Sequence, residues 1–276
     1  SPKQLASVGP RGEAILDYSA RDARAAGFGP IVLVVRADIE ASLSEHVRAS
    51  WPAAVADEVH YTAQDREAWS RKAAKAGRSK PLGTAHAVVA AATDARLDRP
   101  FAVVNADDVY GPEAFALLHA GLTINKAADG LLVAYEAAKT VLGPGPVSRA
   151  LCDVDRDGRL RAVREGTIET EREGLTWTSG AGEDRRRLRG SELVSMNCWG
   201  FGVQAVERLR AAVDRFAGDP ANLAGPAEIL LPEVVGDLIT AEGLVFDVAA
   251  SSGRCFGLTH AGDLEIVRAQ VSEPAW

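Results

Sequence analysis

The stretch "RPFAVVNADDVYG", residues 99–111, combines the signature of a buried strand with two adjacent carboxylates. The run from Phe101 to Val104 is apolar without alternation, which is typical of a strand covered on both faces of a sheet. Asp107 and Asp108 follow it, where an open parallel sheet binds its ligands. Neighbouring strand side chains point to opposite faces, so we expect different roles for the two carboxylates. Capping of the turn and of the next helix is the structural alternative.

Helices and strands alternate on both sides of this stretch. Apolar and small residues at helical spacing predict a helix from about Glu13 to Ala26, ended by Gly27. The unalternating run Ile31–Val35 predicts a strand covered on both faces. A helix from about Ile39 to Ala49 follows, with Asp38 as its N-cap. The alternation is that of βαβ crossovers and predicts an α/β protein with a mostly parallel sheet.

The pattern continues beyond residue 80 and then changes. The segment up to Lys80 is polar, a helix is predicted over "TAHAVVAAATDARL", and another helix and strand follow "NADDVYG". From residue 143 to about 192 the strands are shorter, and Asp157-Gly158 marks a hairpin turn. We therefore predict one domain over residues 1–276 with a small antiparallel insertion at 143–192, in which the polar stretch 178–191 is a loop.

Composition narrows the classes of function. The chain has 276 residues, 47% hydrophobic and 25% charged, with a net charge of −7 that argues against general nucleic-acid binding. No stretch has the length of a membrane span, and a homo-oligomer is compatible with the sequence. The three cysteines lack metal-ligand spacing, which predicts reduced core residues in a cytoplasmic protein: Cys152, Cys198 and Cys255.

The strand-end carboxylates and a small-residue segment together suggest phosphate chemistry. Mg²⁺ commonly takes a few carboxylate oxygens together with substrate phosphates, and Asp107 is placed to supply one. "KPLGTAHA", residues 80–87, brings Lys80 and Gly83 to the start of a helix, where backbone N–H groups can approach an anionic or flat ligand. Thr84 as a plain N-cap is the structural alternative.

An ordered set of segments resembles the sugar-phosphate nucleotidyltransferases. The segments span nearly the whole chain: "SPKQLASVGPRGEAILDYSARDARAAGFGPIVLVVR", "KPLGTAHAVVAAA", "FAVVNADDVYG", "ELVSMNCWGF", "AEILLPEVVGDLI" and "CFGLTHAGDLEIV". The resemblance implies a Rossmann-like α/β fold with helices on both faces of a mixed sheet. It also implies a Mg²⁺-dependent enzyme that joins a nucleoside triphosphate to a sugar 1-phosphate and releases pyrophosphate.

On the nucleotide side, the resemblance implies that Lys3 neutralises phosphate charge and that Asp107 binds the metal. Asp108 is implied to help hold the nucleotide or sugar. One segment is implied to lie against the nucleobase, with a polar base-contacting residue at its end: Gly83, Thr84, Ala85 and His86.

On the sugar side, the resemblance implies that Glu165 binds sugar hydroxyls. Asn197 and Glu228 fall in two further segments that line the sugar in the family.

The sequence departs from the family pattern at three places. A strand and a G-x-G-x-R loop that open the family are not in the sequence: either they precede Ser1 or the protein has lost them, and the first is favoured because losing a central strand would expose apolar edges. Gly257 stands where many relatives carry a second metal-binding aspartate. Gly166 follows Glu165 where the family has a lysine for the sugar phosphate.

Other interpretations stay open at this point. "DVDRDG" matches the start of a calcium loop, but Arg164 occupies its twelfth position, which favours a hairpin. The basic cluster from Arg185 to Arg189 is either a solvated segment or a clamp for an anion. A metal-dependent glycosyltransferase of related fold and an inactive nucleotide- or sugar-binding relative are the alternative functions.

Overall fold

The computed structural model describes residues 5–124, 129–143, 145–180, 182–258, 262–271 and 273–276, and shows a mixed α/β fold. The helices are α1 Ile15–Ala25, α2 Glu40–Ser50, α3 Ala53–Ala56, α4 Ala68–Lys75, α5 Thr84–Asp94, α6 Pro112–Ile124, α7 Val203–Gly218, α8 Pro220–Ala224, α9 Leu231–Glu242 and α10 Asp263–Gln270. The first strands are β1 Ile31–Val35, β2 Val59–Ala63, β3 Phe101–Val103, β4 Asp108–Val109, β5 Gly130–Glu136, β6 Val147–Ser148 and β7 Ala150–Val154. The remaining strands are β8 Leu160–Arg164, β9 Gly166–Glu171, β10 Gly174–Ser179, β11 Arg185–Leu188, β12 Leu193–Phe201, β13 Phe246–Ser251 and β14 Phe256–Gly257.

The central sheet has the strand order β13-β5-β12-β7-β8, and β3 pairs with β12. Trp199 of β12 lies opposite Leu132 of β5 and Val103 of β3, so β12 is held on both edges. The β13–β5 pair is parallel, whereas β12 is antiparallel to its three neighbours. The mixed sheet is confirmed, although most of its hydrogen-bonded pairs are antiparallel because β12 runs against the strands around it.

Helices cover both faces of the central sheet. A large apolar cluster joins it to α5, α7 and α9, with Trp199 and Phe201 fully buried at its centre. A second cluster packs α6 against the opposite face and contains Cys198 and Cys255, which are free and buried. The predicted cover of both faces and the predicted burial of these two cysteines are confirmed, while Cys152 is only partly buried.

Strands β1 and β2 form a separate parallel pair, in which Ile31 lies opposite Val59. Within the described residues, β1 pairs only with β2, which leaves its other edge open. Most of β1 is half-buried, and Val34 is 38% exposed. The prediction that this strand is covered on both faces is therefore wrong, because a two-stranded layer leaves side chains accessible at its edges.

The predicted insertion consists of antiparallel strands in two sheets. Strands β7 and β8 extend the central sheet, while the second sheet has the order β11-β10-β9-β6. The β7–β8 connection is the predicted hairpin turn: Gly158 has φ +79°, and Asp155 Oδ1 accepts the N–H groups of Asp157 and Arg159. These contacts favour the turn over the calcium loop.

The polar stretch 178–191 is not simply a loop, because β11 lies within it. Its arginines form exposed ion pairs: Arg185 with Glu171 of β9, Arg186 with Asp184 just before β11, and Arg187 with Glu173 in the turn before β10. Exposed pairs of this kind stabilise a strand only weakly, and it is pairing with β10, which the sequence pattern did not reveal, that holds β11 in the sheet.

The predicted N-cap of α2 is wrong, and so is the structural alternative that Thr84 caps α5. Asp38 is bound by the Arg36 guanidinium, and the N-cap of α2 is Ile39 without a side-chain hydrogen bond. Gly83, not Thr84, is the N-cap of α5. Strand β2 and helix α4 were missed in the polar segment before Lys80, because "VHYTA" is short and carries no unbroken apolar run.

Candidate active site

Asp107 and Asp108 lie beyond the carboxyl end of β3 and differ in their contacts. Asp108 Oδ2 accepts a hydrogen bond of 2.8 Å from Asn105 Nδ2, and the Tyr110 hydroxyl lies 3.5 Å from the same oxygen. Among the described residues, the Asp107 carboxylate has no hydrogen bond or ion pair. Burial and the neighbouring charge of Asp107 raise the pKa of Asp108 to about 6. The two carboxylates therefore occupy different environments, Asp107 in a turn and Asp108 in β4.

Gly257 lies opposite Asp108 in the β4–β14 pair. A Cβ added at Gly257 would be 2.0 Å from Asp108 Oδ1 and 2.6 Å from Asp107 O. The Asp108 carboxylate thus fills the space in which a side chain at position 257 would begin. This chain cannot carry a second aspartate there without moving Asp108.

The segment from Gly83 to Ala85 is bound along its backbone to the start of α9. Gly83 has φ +129°, and a Cβ there would be 2.3 Å from Ile229 O. Ile229 N donates to Leu82 O at 2.8 Å, and Ala85 N donates to Ile229 O at 3.2 Å. The Thr84 hydroxyl accepts from Leu231 N at 2.8 Å. Glu228, which is exposed, is therefore held beside the Gly83 segment.

His86 is 1% exposed, and both of its ring nitrogens have partners. Gln64 Nε2 lies 3.0 Å from His86 Nδ1 and also donates to Gly83 O at 3.3 Å. Because the Gly83 carbonyl can only accept a hydrogen bond, this contact fixes which end of the Gln64 amide points toward His86. His86 Nδ1 therefore accepts from Gln64, and His86 Nε2–H donates to Glu67 at 2.7 Å. Burial raises the pKa of Glu67, but the hydrogen bonds from His86 and from the Trp69 N–H, with the other lowering interactions, together outweigh it and bring the pKa to about 2. His86 thus lies behind the Gly83 segment and fixes it through Gln64.

Glu165, at the end of β8, is a half-buried carboxylate. Burial and the charge of Glu233, in the first turn of α9, raise its pKa to about 7. The Arg149 guanidinium acts in the opposite direction on both Glu165 and Asp108. These interactions place Glu165 between α9 and the strand-end carboxylates.

Asn197 occupies a bulge in β12, where its pairing shifts between Ser195 and Trp199. Its φ of +58° is uncommon for a residue with a side chain. The conformation is held by Asn197 N donating to Ser195 Oγ at 3.1 Å and by Trp199 Nε1 donating to Asn197 Oδ1 at 3.2 Å. The neighbouring Met196 O accepts from the Tyr110 hydroxyl at 2.7 Å, which ties the bulge to the Asp108 segment.

The candidate residues form a continuous arc. It runs from Gly83 through the start of α9 and Glu165 to Asp108, with Asn197 beside its last part. Lys3 lies outside the described residues.

The donor set fits a magnesium ion that shares substrate oxygens. Within the described residues, no group of three or more His, Cys, Asp or Glu side chains could hold a metal alone. Mg²⁺ usually takes one or two carboxylates, waters and substrate phosphates, which Asp107 and Asp108 could complete.

Four residues of this arrangement were not predicted from the sequence. Gln64 and Arg149 adjoin strand ends, which is the available signal. Glu67 precedes α4 and Glu233 lies in the first turn of α9, where no local pattern marks them.

Comparison with solved structures identifies the architecture. HddC from Yersinia pseudotuberculosis matches with a TM-score of 0.58 and 12% identity, over 98% of this chain and 90% of that chain. The inositol-1-phosphate CTP transferase of T. maritima gives 0.59 and 12%, over 94% and 84%. A candidate glucose-1-phosphate thymidylyltransferase from Bacillus anthracis, in complex with a sucrose, gives 0.65 and 9%, over 99% and 87%.

The chain has the fold of the sugar-phosphate nucleotidyltransferases. At these identities the likeness establishes the fold alone. No family model matches the sequence, and no curated protein is similar to it in sequence. Among the described helices, none has the length and apolar character needed to cross a membrane.

Proposed function

We propose that the protein is a Mg²⁺-dependent nucleotidyltransferase that joins a nucleoside triphosphate to a sugar 1-phosphate or a similar phosphorylated metabolite. The observation that carries the proposal is the arc from the Gly83 segment through Glu165 to Asp107 and Asp108. On this fold the arc contains a glycine segment packed against the start of α9, a half-buried glutamate and a pair of strand-end carboxylates. These are the groups needed for a base, a sugar and a metal-bound phosphate.

The reaction requires positioning and charge neutralisation more than covalent chemistry. A phosphate oxygen of the sugar 1-phosphate attacks the α-phosphorus of the triphosphate. A P–O bond forms there, the bond to the β-phosphate breaks, and pyrophosphate leaves with the electron pair. Asp107, with Asp108 beside it, would hold Mg²⁺, which supplies positive charge to the phosphate oxygens.

The remaining residues bind and orient the substrates in this proposal. The Gly83 segment, from Gly83 to His86, would line the nucleobase side of the site together with the start of α9, and His86 supports it from behind. Glu165, Asn197 and Glu228 contribute polar groups to the sugar. Lys3 neutralises phosphate charge, as the family resemblance implies.

The test is release of pyrophosphate by the full-length protein, given each of the four common nucleoside triphosphates with a panel of sugar 1-phosphates and Mg²⁺. Turnover of at least one pair supports the proposal. Consumption of a nucleotide sugar with transfer to an acceptor would instead indicate a glycosyltransferase.

A nucleotide- or sugar-binding protein without turnover is the second candidate, and Gly257 favours it. The second aspartate common in relatives has no space there while Asp108 keeps its position. Binding of a triphosphate and a sugar 1-phosphate without pyrophosphate release would support this candidate. Binding of neither would contradict both.

A further inference from the structure

Arg149 is a buried cation that forms no ion pair with any carboxylate of the described residues. The residue is 8% exposed, and its guanidinium donates to two backbone carbonyls, Ser148 O and Thr140 O, each at 2.7 Å. Its Nε–H has no partner among the described residues. Arginine is rarely buried without a paired anion, because removing the charge from water is costly. The unused donor therefore indicates an anion that binds here.

The position of Arg149 connects the two halves of the arc. Its backbone N–H donates to Gly166 O at 2.9 Å, directly after Glu165. Its side chain lines a cavity together with Gly257, against which the Asp108 carboxylate packs. The guanidinium therefore lies within electrostatic reach of Asp108 on the metal side and Glu165 on the sugar side.

The cavity is small, about 10 Å³, which is room for one water-sized group such as a single phosphate oxygen, and glycines at 143, 145 and 257 form part of its wall. A phosphate would therefore reach the guanidinium with one oxygen from the mouth of the cavity. Asp263 lies on the same wall, so an anion must bind toward the guanidinium. A phosphate group offers several acceptor oxygens to such a fork of N–H donors.

We propose that Arg149 binds the phosphate of the sugar 1-phosphate, an inference that rests on the proposed function. A lysine after Glu165 is excluded in this chain, because a Cβ at Gly166 would be 2.4 Å from Thr178 O and from the Trp177 ring. Arg149 brings a positive charge to the neighbouring strand at the same level. The phosphate so held lies between the sugar-binding carboxylate and the strand-end pair, where its attack is required.

The first experiment measures binding without turnover. Isothermal titration of the wild type, Arg149→Lys and Arg149→Met uses inorganic phosphate, glucose 1-phosphate and glucose as probes. We expect Arg149→Met to bind both phosphates about 10- to 100-fold more weakly, the range for charged hydrogen bonds, while Arg149→Lys loses less. Triphosphate binding should stay within about twofold in both variants.

A second pair of variants leaves Arg149 in place. A Cβ at Gly143 would meet only Ile266 Cδ1, at 4.0 Å, so this wall of the cavity accepts a side chain. We expect Gly143→Asp to compete with phosphate for the guanidinium and to weaken phosphate binding. Gly143→Asn, of the same shape without the charge, should weaken it much less.

The outcomes separate this inference from the proposed function. If phosphate binding depends on Arg149 but the protein releases no pyrophosphate, the anion site is supported and the proposed nucleotidyltransferase activity is contradicted. Pyrophosphate release, with unchanged phosphate affinity in Arg149→Met, supports the proposed enzyme activity and contradicts the anion site at Arg149. Equal losses of phosphate and triphosphate binding in both Arg149 variants, together with a lower unfolding midpoint, would show a purely structural cation and overturn the inference.

Discussion

One wall of the candidate site, the loop wall, comprises Gln64, Glu67, Gly83 and His86, and its polar groups bind one another. Gln64 joins Gly83 O to His86, and His86 joins Gln64 to Glu67. Glu67 also accepts the Trp69 N–H and so caps α4. This wall is fixed before any ligand arrives, which favours recognition by shape and backbone.

The opposite wall, the charged wall, comprises Asp107, Asp108, Arg149 and Glu165. Burial raises the pKa of Asp108 and of Glu165, and Arg149 keeps an unpaired donor. Such groups destabilise the free protein and become satisfied only when opposite charges bind. This contrast indicates that the charged groups of a substrate bind at the charged wall, while the loop wall supplies a rigid surface.

The largest expected effect is on the charged wall. Asp107→Asn should lower kcat on the order of 10³-fold, because it removes a carboxylate charge intended for the metal. The free energy of unfolding should change by only about 0.5 kcal/mol, since the carboxylate has no bonded partner among the described residues. Steady-state kinetics and thermal unfolding check both. The control is Asp57→Asn, which neutralises an exposed carboxylate elsewhere and should leave kcat unchanged. An unchanged kcat of Asp107→Asn at limiting Mg²⁺ would show that Asp107 does not bind the metal.

The next effect tests the rigidity of the loop wall. Gly83→Ala combines a strained φ with a contact of 2.3 Å to Ile229 O, and should cost about 3 kcal/mol or more and weaken triphosphate binding. Gly77→Ala has a similar φ of +92° but meets nothing within 4 Å, and should cost only about 1–2 kcal/mol. Chemical denaturation measures both. If both variants lost the same free energy of unfolding, the close approach of Gly83 to Ile229 would contribute nothing to the destabilisation.

The sequence predicted the charged wall better than the loop wall. A strand that ends in Asp107 and Asp108 is visible as a pattern, because strand, turn and carboxylates are contiguous. The loop wall depends on β2, whose short sequence gave no signal, so Gln64 at its end was missed. Thr84 has the local preference of an N-cap, but Gly83 takes that position, and Leu231 N, distant in sequence, binds the Thr84 hydroxyl.

Arg149 shows a second reason why part of the site escaped prediction. An arginine beside a short strand has the pattern of a surface residue. Its burial follows from the packing of Thr140, Leu142, Val147 and β14 around it, which no local periodicity encodes. Charges that are buried by tertiary contacts are therefore the part of this site that required the structure.

A smaller effect concerns the internal hydrogen bonds of the loop wall. Glu67→Gln removes the charged acceptor of His86 Nε2–H and should cost about 1.5–3 kcal/mol at pH 7. The folded pKa of Glu67, about 2, lies below its ordinary 4.5, so this stabilisation is present above pH 4.5 and lost as pH falls through 2. Urea unfolding at several pH values should show the difference between wild type and variant shrinking in that window.

The control for this prediction is Glu58→Gln, which breaks the ion pair with Arg24 at the surface. It should cost at most about 1 kcal/mol. A loss in Glu67→Gln no larger than in this control would show that the loop wall is not fixed through His86.

The smallest effect tests the coupling across the arc. The pKa of Glu165, about 7, is raised by burial first and by Glu233 second. If the carboxylate binds sugar hydroxyls, KM for the sugar 1-phosphate should fall as pH rises through 7, because Glu165 then ionises. Glu233→Gln removes one of the two causes, so this transition should move to lower pH. The control is Glu242→Gln at the other end of α9, where the carboxylate pairs with Arg208.

KM measured from pH 5.5 to 8.5 separates the two variants, and pH-independent binding of the triphosphate serves as the internal reference. Protein stability should also depend on this group. Because the pKa of Glu165 is raised in the folded state, the free energy of unfolding should decrease as pH rises from 4.5 to 7. A KM transition that stays in place in Glu233→Gln, or that moves equally in Glu242→Gln, would show that α9 does not tune the charged wall. The two walls would then act independently, and the link from the Gly83 segment through α9 to Glu165 would be a matter of packing alone.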